Sequence, residues 1–276
     1  PVKAAEVSTK TRRSLGIGYI GLAHFFAKHK VKYADPKAWT LAHQLSEAFQ
    51  FYLLKASMNI AKEVGKCDGF DQTKYADGIL PIDTYKKDID EIANPDYQYD
   101  WDWLRDQIKK HGLRHSTLSA QMPSESSSVV SNATNGIEPP RALLSTKKSK
   151  KGPLKQVVPQ YQQLKNHYTL LWDMPSNEGY INIVSMMQKF FDQAISGNWS
   201  YNPTHFENNE VPMSVMLKDL LTTYKLGWKT SYYQNTYDFK GEEETVQPQG
   251  IEDTVQDDTI VPMTPEEEAD CDACAI

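Results

Sequence analysis

Residues 35–65 place the strongest limit on the fold. Asp35 and Pro36 open the stretch with a helix N-cap and a proline at the first helical position, where its missing N–H costs nothing. Gly65 closes it. Between them Trp39, Leu45, Phe49, Tyr52, Leu53, Ala56 and Ile60 recur at helical spacing and predict one apolar face. A helix of this length must be covered by other elements. Asp100 caps a second helix through WDWLRDQIKKH, which Gly112 stops, and Pro212 begins a third, MSVMLKDLLTTYKLGW. Further helices are predicted at about 160–174 and 178–196. Strands are expected at Ser116–Met122, Ala142–Thr146, Leu154–Val158 and Lys229–Thr236, with a loop from Gly197 to Glu210. Strands separated by long helical connections make the chain a helix-rich α/β protein.

Charge divides the chain in two. From Gly241 to Ile276 there are 12 acidic residues and no Lys or Arg, whereas the first 240 residues carry 30 basic and 24 acidic ones, a net of +6. A basic body suits a phosphorylated ligand or an acidic partner peptide. The acidic segment has too few apolar residues to build a core, and its composition predicts a disordered tail over 241–276. Residues 1–240 form the folded portion.

Several motifs fit poorly with the functions they suggest. Gly16-x-Gly18-x-x-Gly21 matches a dinucleotide fingerprint, but TKTRRS precedes it where a strand is needed, so close backbone packing explains the glycines better. Lys147, Lys148, Lys150 and Lys151 lie at a hairpin tip with no aromatic platform, which argues against direct nucleic-acid binding. The seven histidines form no zinc pattern. Cys67, in a loop after the long helix, reads as an inert thiol. Arg12-Arg13 precedes an apolar run, but His24 breaks it and no small-residue cleavage site follows. No run of 18 apolar residues is present, so no membrane span is expected and the cytoplasm is the expected compartment.

Three stretches carry chemistry. In STLSAQMPSESSSVV, Pro123 ends a strand and Ser124, Glu125, Ser126 and Ser127 begin a helix. First-turn N–H groups and hydroxyls there could cap the helix or hold a phosphate. Tyr232-Tyr233 lies in the last strand, where adjacent side chains ordinarily point to opposite faces. Cys271-x-x-Cys274 is near the end of the sequence. It has too few neighbouring ligands for zinc and suits thiol–disulfide exchange. Between them and the last predicted strand lie 34 residues, Tyr237 to Asp270, with a coil span of roughly 30 Å.

The ordered series TRRSLGIG, LPIDTYKKD, PSESSS, SNATNGIEPPR, VPMSVMLKDLLTTYK and YYQNT resembles the C-terminal part of the class I ribonucleotide reductase large subunit. The similarity runs collinearly over about residues 8–240 and resumes at the terminal cysteines. It implies the C-terminal half of a ten-stranded α/β barrel. It also implies that Ser124, Glu125, Ser126 and Ser127 bind the substrate diphosphate, Glu125 mainly through its backbone. Tyr232 and Tyr233 would relay a radical, with Tyr233 towards a small subunit and Tyr232 towards a catalytic cysteine. Cys271 and Cys274 would re-reduce an active-site disulfide and be reduced by thioredoxin or glutaredoxin. No cofactor is expected on this chain, because the metal-containing small subunit supplies the radical. The cysteines, asparagine and glutamate beside the ribose would lie upstream of Pro1, so a separate chain carrying the upstream half is an expected partner. The rival expectation is a non-catalytic phospholigand-binding or interaction module of the same fold.

Overall fold

The computed structural model describes residues 2–149 and 152–238, with the side chains of 125, 146–149 and 152–154 left aside. These residues belong to one unit, Pro1–Glu243. Its helices and strands, in chain order, are α1 (Lys3–Arg12), α2 (Leu22–Lys28), α3 (Pro36–Val64), α4 (Pro81–Thr84), α5 (Trp101–His111), α6 (Glu125–Val130), β1 (Leu144–Ser149), β2 (Gly152–Val157), α7 (Tyr161–Leu164), α8 (Glu178–Gln188), β3 (Ser196–Tyr201), α9 (Met213–Leu226) and β4 (Thr230–Thr236). Cys271, Cys274 and the acidic segment lie outside the described residues.

Punctuation residues place three of these helices where the sequence predicts them. Asp100 accepts from the Trp103 N–H at 2.8 Å and caps α5, which stops at Gly112. Pro212 precedes α9, which ends at Gly227. The Asp35 side chain turns back instead to accept from the Lys32 N–H at 2.7 Å, leaving α3 without a side-chain cap.

The buried face of α3 differs from the expected one. Tyr52, Ala56 and Ile60 are exposed, while Ala38, Ala42, Phe51, Leu54, Met58 and Ala61 are buried beside His43, Ser46, Glu47, Gln50 and Ser57. Apolar residues surround much of this helix, so sequence spacing alone does not select the face. The buried polar line is paired in part, with both His43 ring nitrogens, Glu47 Oε2 and Gln50 Oε1 left without a hydrogen bond. Glu47 Oε1 accepts from the Gln98 and Tyr99 N–H groups at 2.8 and 3.2 Å and from Trp101 Nε1 at 3.1 Å. Such pairing offsets the cost of burying polar atoms.

α8 packs against α3 and is buried on every side from Gly179 to Gln188. Each fully buried Ile, Val or Met there contributes about 1.5–3 kcal/mol relative to exposure. Gly179 is required by close approach, since a Cβ would stand 2.6 Å from Tyr33 O. Lys189, immediately after α8, is fully buried and donates to Asp90 Oδ1 at 2.9 Å.

Two predictions between residues 160 and 210 fail. The expected helix at 160–174 is only α7 and a short 3-10 turn at Leu171–Asp173, because Gln160 adopts a left-handed φ of 51° and the chain beyond Leu164 turns away. The expected helix at 178–196 ends at Gln188, and part of the expected loop is β3.

Regular sheet occurs in pairs: β1 with β2 antiparallel, and β3 with β4 parallel. The expected strand at 116–122 is an extended run with a single bridge, Ile17 to Ser119. It is nevertheless held on both sides. Ile17 N–H donates to Leu118 O at 2.8 Å and Ser196 N–H to Gln121 O at 2.9 Å. Asp192 accepts from the Leu118 and Ser119 N–H groups at 2.8 and 3.0 Å and from the Tyr75 hydroxyl at 3.0 Å. The described residues therefore do not by themselves display the half-barrel that the resemblance implies. Gly18 fits this packing and no dinucleotide loop: a Cβ there would lie 2.4 Å from Ala120 O. Among the described residues, no helix is long and apolar enough to cross a membrane, and no group of His, Cys, Asp and Glu could hold a metal.

Candidate functional site

The extended run 116–122 leads directly into the serine turn. Pro123 ends it and α6 begins at Glu125. The Ser124 N–H donates to Asn135 Oδ1 at 2.8 Å, and the Ser124 hydroxyl turns back to Met122 O at 3.1 Å, so it does not cap α6. Ser126 and Ser127 are exposed. The first turn of α6 thus presents uncapped N–H groups beside accessible hydroxyls, which is the donor set an anion needs. Glu125 supplies backbone at the first helical position.

The loop after α6 fixes this turn from behind. Asn132 and Gly136 adopt left-handed φ values of 48° and 47°. These bends bring Asn135 under Ser124. The same loop closes the start of α2, with the Gly21 N–H donating to Thr134 O at 3.0 Å and the Leu22 N–H to Gly136 O at 3.2 Å.

The tyrosine pair occupies a break in strand register. Ser196 and Gly197 of β3 pair with Thr230 and Ser231 of β4, and pairing resumes at Trp199 with Gln234. Asn198 alone therefore faces both Tyr232 and Tyr233. Two residues against one is a β-bulge, which re-aims side chains locally. In a regular strand the two rings would lie on opposite faces. Here their centroids are 4.3 Å apart with planes at 62°. Both rings are more than half exposed, at 55% and 60%. A hydrogen bond with the Tyr232 side chain, and its charge, hold the Tyr233 phenol above its usual value.

Three residues to which sequence reasoning gave no role complete the arrangement. The Tyr233 N–H donates to Asn198 Oδ1 at 3.1 Å, and Asn198 Nδ2 donates to Glu138 Oε1 at 2.7 Å. Glu138 lies three residues after Asn135. One short loop, NGIE, thus touches both the serine turn and the tyrosine bulge. NGIE belongs to a motif visible in the sequence, but nothing in its composition announces these contacts.

Cys67 is fully buried, and burial raises its thiol above the ordinary value, as an inert thiol requires. The lysine-rich hairpin tip lies partly outside the described residues.

Comparison with known proteins supplies the lineage. The ribonucleotide reductase barrel-domain family model matches residues 1–234. The chain is 60% identical to the ribonucleoside-diphosphate reductase subunit alpha of Haemophilus influenzae over 238 residues, 86% of this chain and 32% of that protein. It is 54% identical to ribonucleoside-diphosphate reductase 1 subunit alpha of Escherichia coli over 276 residues, all of this chain and 35% of that protein. The corresponding subunit of Enterobacteria phage T4 is 44% identical over 243 residues. The chain spans about a third of the length of the relatives it matches. With a family model covering most of its length and relatives of this identity, the chain belongs to the ribonucleotide reductase barrel-domain family.

Proposed function

We propose that this chain is the C-terminal part of a ribonucleoside-diphosphate reductase alpha subunit, which converts ribonucleoside diphosphates to deoxyribonucleoside diphosphates. The observation that carries the proposal is the bulge that brings Tyr232 and Tyr233 ring to ring at 4.3 Å. Adjacent strand residues meet in this way only when the ladder is broken. The family resemblance supplies a use for the contact.

In this reading the serine turn binds the substrate diphosphate through the first-turn N–H groups of α6 and the hydroxyls of Ser126 and Ser127, with the Ser124 hydroxyl joining them by turning from Met122 O to the phosphate. Charge-assisted hydrogen bonds of this kind are worth about 1.5–3 kcal/mol each. The tyrosine pair carries a radical inward. An oxidant on the small subunit removes one electron and one proton from the Tyr233 phenol. Tyr232 then restores Tyr233 by giving up its own electron and proton. A cysteine thiol in the upstream part of the subunit restores Tyr232 in turn and is left as the thiyl radical. Electron and proton must leave together, because a phenol with a pKa of about 10 or above stays protonated at neutral pH. Cys271 and Cys274 return the two electrons that each turnover consumes, and thioredoxin or glutaredoxin re-reduces them. The assembled enzyme contains a segment corresponding to the upstream two thirds of the relatives, joined to this one or separate, together with the small subunit. This chain binds no cofactor of its own.

The test is deoxyribonucleotide formation by the assembled enzyme with a ribonucleoside diphosphate and thioredoxin. Tyr232→Phe and Tyr233→Phe keep the ring packing but remove the transferable hydrogen. Each is expected to abolish turnover while leaving small-subunit and substrate binding near the wild type. Substantial turnover by either variant overturns the proposal.

A further inference from the structure

We propose that Asn198 and Glu138 are positioning residues for Tyr233, forming a side-chain brace that holds the β4 bulge in the shape that sets the tyrosine rings edge to face. The inference rests on the reading of Tyr232 and Tyr233 as a radical relay and adds Asn198 and Glu138 to it.

The argument begins with hydrogen-bond supply. In a parallel ladder alternate strand N–H groups find a carbonyl on a given neighbour. The register break sets Asn198 against two residues of β4, so the local ladder is disrupted. The Tyr233 N–H donates to a side chain, Asn198 Oδ1, at 3.1 Å. An amide side chain can present either its oxygen or its NH2, and only the oxygen accepts. Glu138 decides between them. A carboxylate can only accept, and Glu138 Oε1 takes a hydrogen bond from Asn198 Nδ2 at 2.7 Å. With Nδ2 held by the carboxylate, Oδ1 must face Tyr233. The brace is therefore ordered as Glu138 accepting from Asn198, and Asn198 accepting from Tyr233.

The backbone around the brace is tightly packed. Gly197 precedes Asn198, and a Cβ there would stand 2.8 Å from both the Tyr180 hydroxyl and the Trp228 ring. Trp228 Nε1 donates to Ile195 O at 2.9 Å, and Trp199 is buried, with 8% of its surface exposed. β3 thus gives a firm base, whereas the exposed rings of Tyr232 and Tyr233 have little packing to hold them. The buried side of the bulge sets the position of the exposed side through one amide. Loss of the brace would let Tyr233 shift relative to Tyr232. Small misplacements of reacting groups carry large kinetic penalties, on the order of a hundredfold for about 1 Å.

Polarity reversal tests the brace in the assembled enzyme. Asn198→Asp sets two carboxylates against each other and is expected to lower kcat by about 10–100-fold, with little change in KM. Adding Glu138→Gln to that variant restores a donor facing an acceptor, because the new carboxylate accepts from both the amide at 138 and the Tyr233 N–H. Turnover should return to near the wild type. Glu138→Gln alone keeps an acceptor oxygen but no longer forbids the flipped Asn198 amide, and should lower kcat by less than Asn198→Asp.

A second readout is independent of turnover. The Tyr232 and Tyr233 ring resonances of the full chain, labelled with ring-13C tyrosine and assigned with the Phe variants, should move in Asn198→Asp and return in the double variant. If Tyr233→Phe keeps turnover, the relay reading fails whatever the brace does. If Tyr233→Phe is inactive but Asn198→Asp leaves turnover and resonances unchanged, the brace is overturned and the relay stands. A double variant that folds yet shows no recovery in either readout also overturns it, as does a Glu138→Gln variant as impaired as Asn198→Asp.

Discussion

The backbone amide of Ser124 donates to the side-chain oxygen of Asn135 at 2.8 Å, which ties the residue before α6 to the loop that follows it. This bond is part-buried, and an amide that loses its only acceptor costs about 1–3 kcal/mol. Asn135→Ala should therefore weaken ribonucleoside diphosphate binding by about tenfold, equivalent to about 1.4 kcal/mol, whereas Asn135→Asp should retain the acceptor and the affinity. Calorimetric titration of the assembled enzyme measures both, and equal dissociation constants for the wild type and Asn135→Ala would remove Asn135 from the site.

Ser126 and Ser127 act directly in the same reading, through exposed hydroxyls. Ser126→Ala and Ser127→Ala should each raise the dissociation constant by about tenfold or more, from the loss of a charged hydrogen bond worth about 1.5–3 kcal/mol. Neither should alter thermal stability by more than about 0.5 kcal/mol, the usual limit for exposed positions away from caps and cores. An unchanged affinity in the double variant would withdraw the phosphate assignment from this turn.

Cys271 and Cys274 make a prediction about electron supply alone. Cys271→Ser or Cys274→Ser should stop multiple turnovers when thioredoxin is the reductant. A small dithiol that reaches the active site directly should restore part of the rate. Product yield per enzyme is the measurement, and persistent thioredoxin-driven turnover in both variants would show that these thiols are not the shuttle.

His43 gives the fold a pH dependence separate from the site. It is fully buried against Phe190, and neither ring nitrogen has a hydrogen-bond partner. Burial first, and the Lys189 charge second, lower its pKa from 6.5 to about 4. Between these values the unfolded chain binds a proton that the folded chain refuses. Stability from this group is thus complete above pH 6.5 and declines as pH falls towards 4. At 1.36 kcal/mol per pKa unit the full effect is at most about 3 kcal/mol. Urea unfolding of the wild type and His43→Phe should diverge less at pH 7 than at pH 4.5, with the wild type losing more stability on acidification. A constant difference across that range would rule out His43 as the cause.

The sequence makes some of these elements plain and hides others for physical reasons. Asp100 with Gly112 marks both ends of α5 and Pro212 marks the start of α9, because caps and left-handed residues act locally, whereas the predicted third helix runs two residues past the observed end at Leu226. The serine turn is visible for the same reason. The facing of α3 is not, because Tyr52 and Ile60 are apolar yet exposed while Glu47 and Gln50 are polar yet buried. Their burial depends on partners distant in the chain. β3 is hidden by Gly197, Asn198 and Ser200, although its buried positions do alternate at Gly197, Trp199 and Tyr201. The contact between Tyr232 and Tyr233 arises from register against a second strand, which no local pattern encodes. Asn198 and Glu138 escape notice because their hydrogen bonds join residues 35 and 60 positions apart, and Asn135 because its partner, 11 positions back, is a backbone N–H that no side-chain pattern marks.

The bulge also makes β4 sensitive to length as well as composition. Substituting one aromatic ring for another at Tyr232 or Tyr233 leaves two residues opposite Asn198. Deleting any single residue between Ser231 and Gln234 would leave one residue opposite Asn198 and let the ladder close without a break. The ring that remained would have no adjacent ring to stack on, and its amide would be offered to β3 instead of to Asn198. Over evolutionary time this segment should therefore resist insertions and deletions as strongly as loss of either tyrosine, even though it lies at an exposed edge where length changes are ordinarily tolerated.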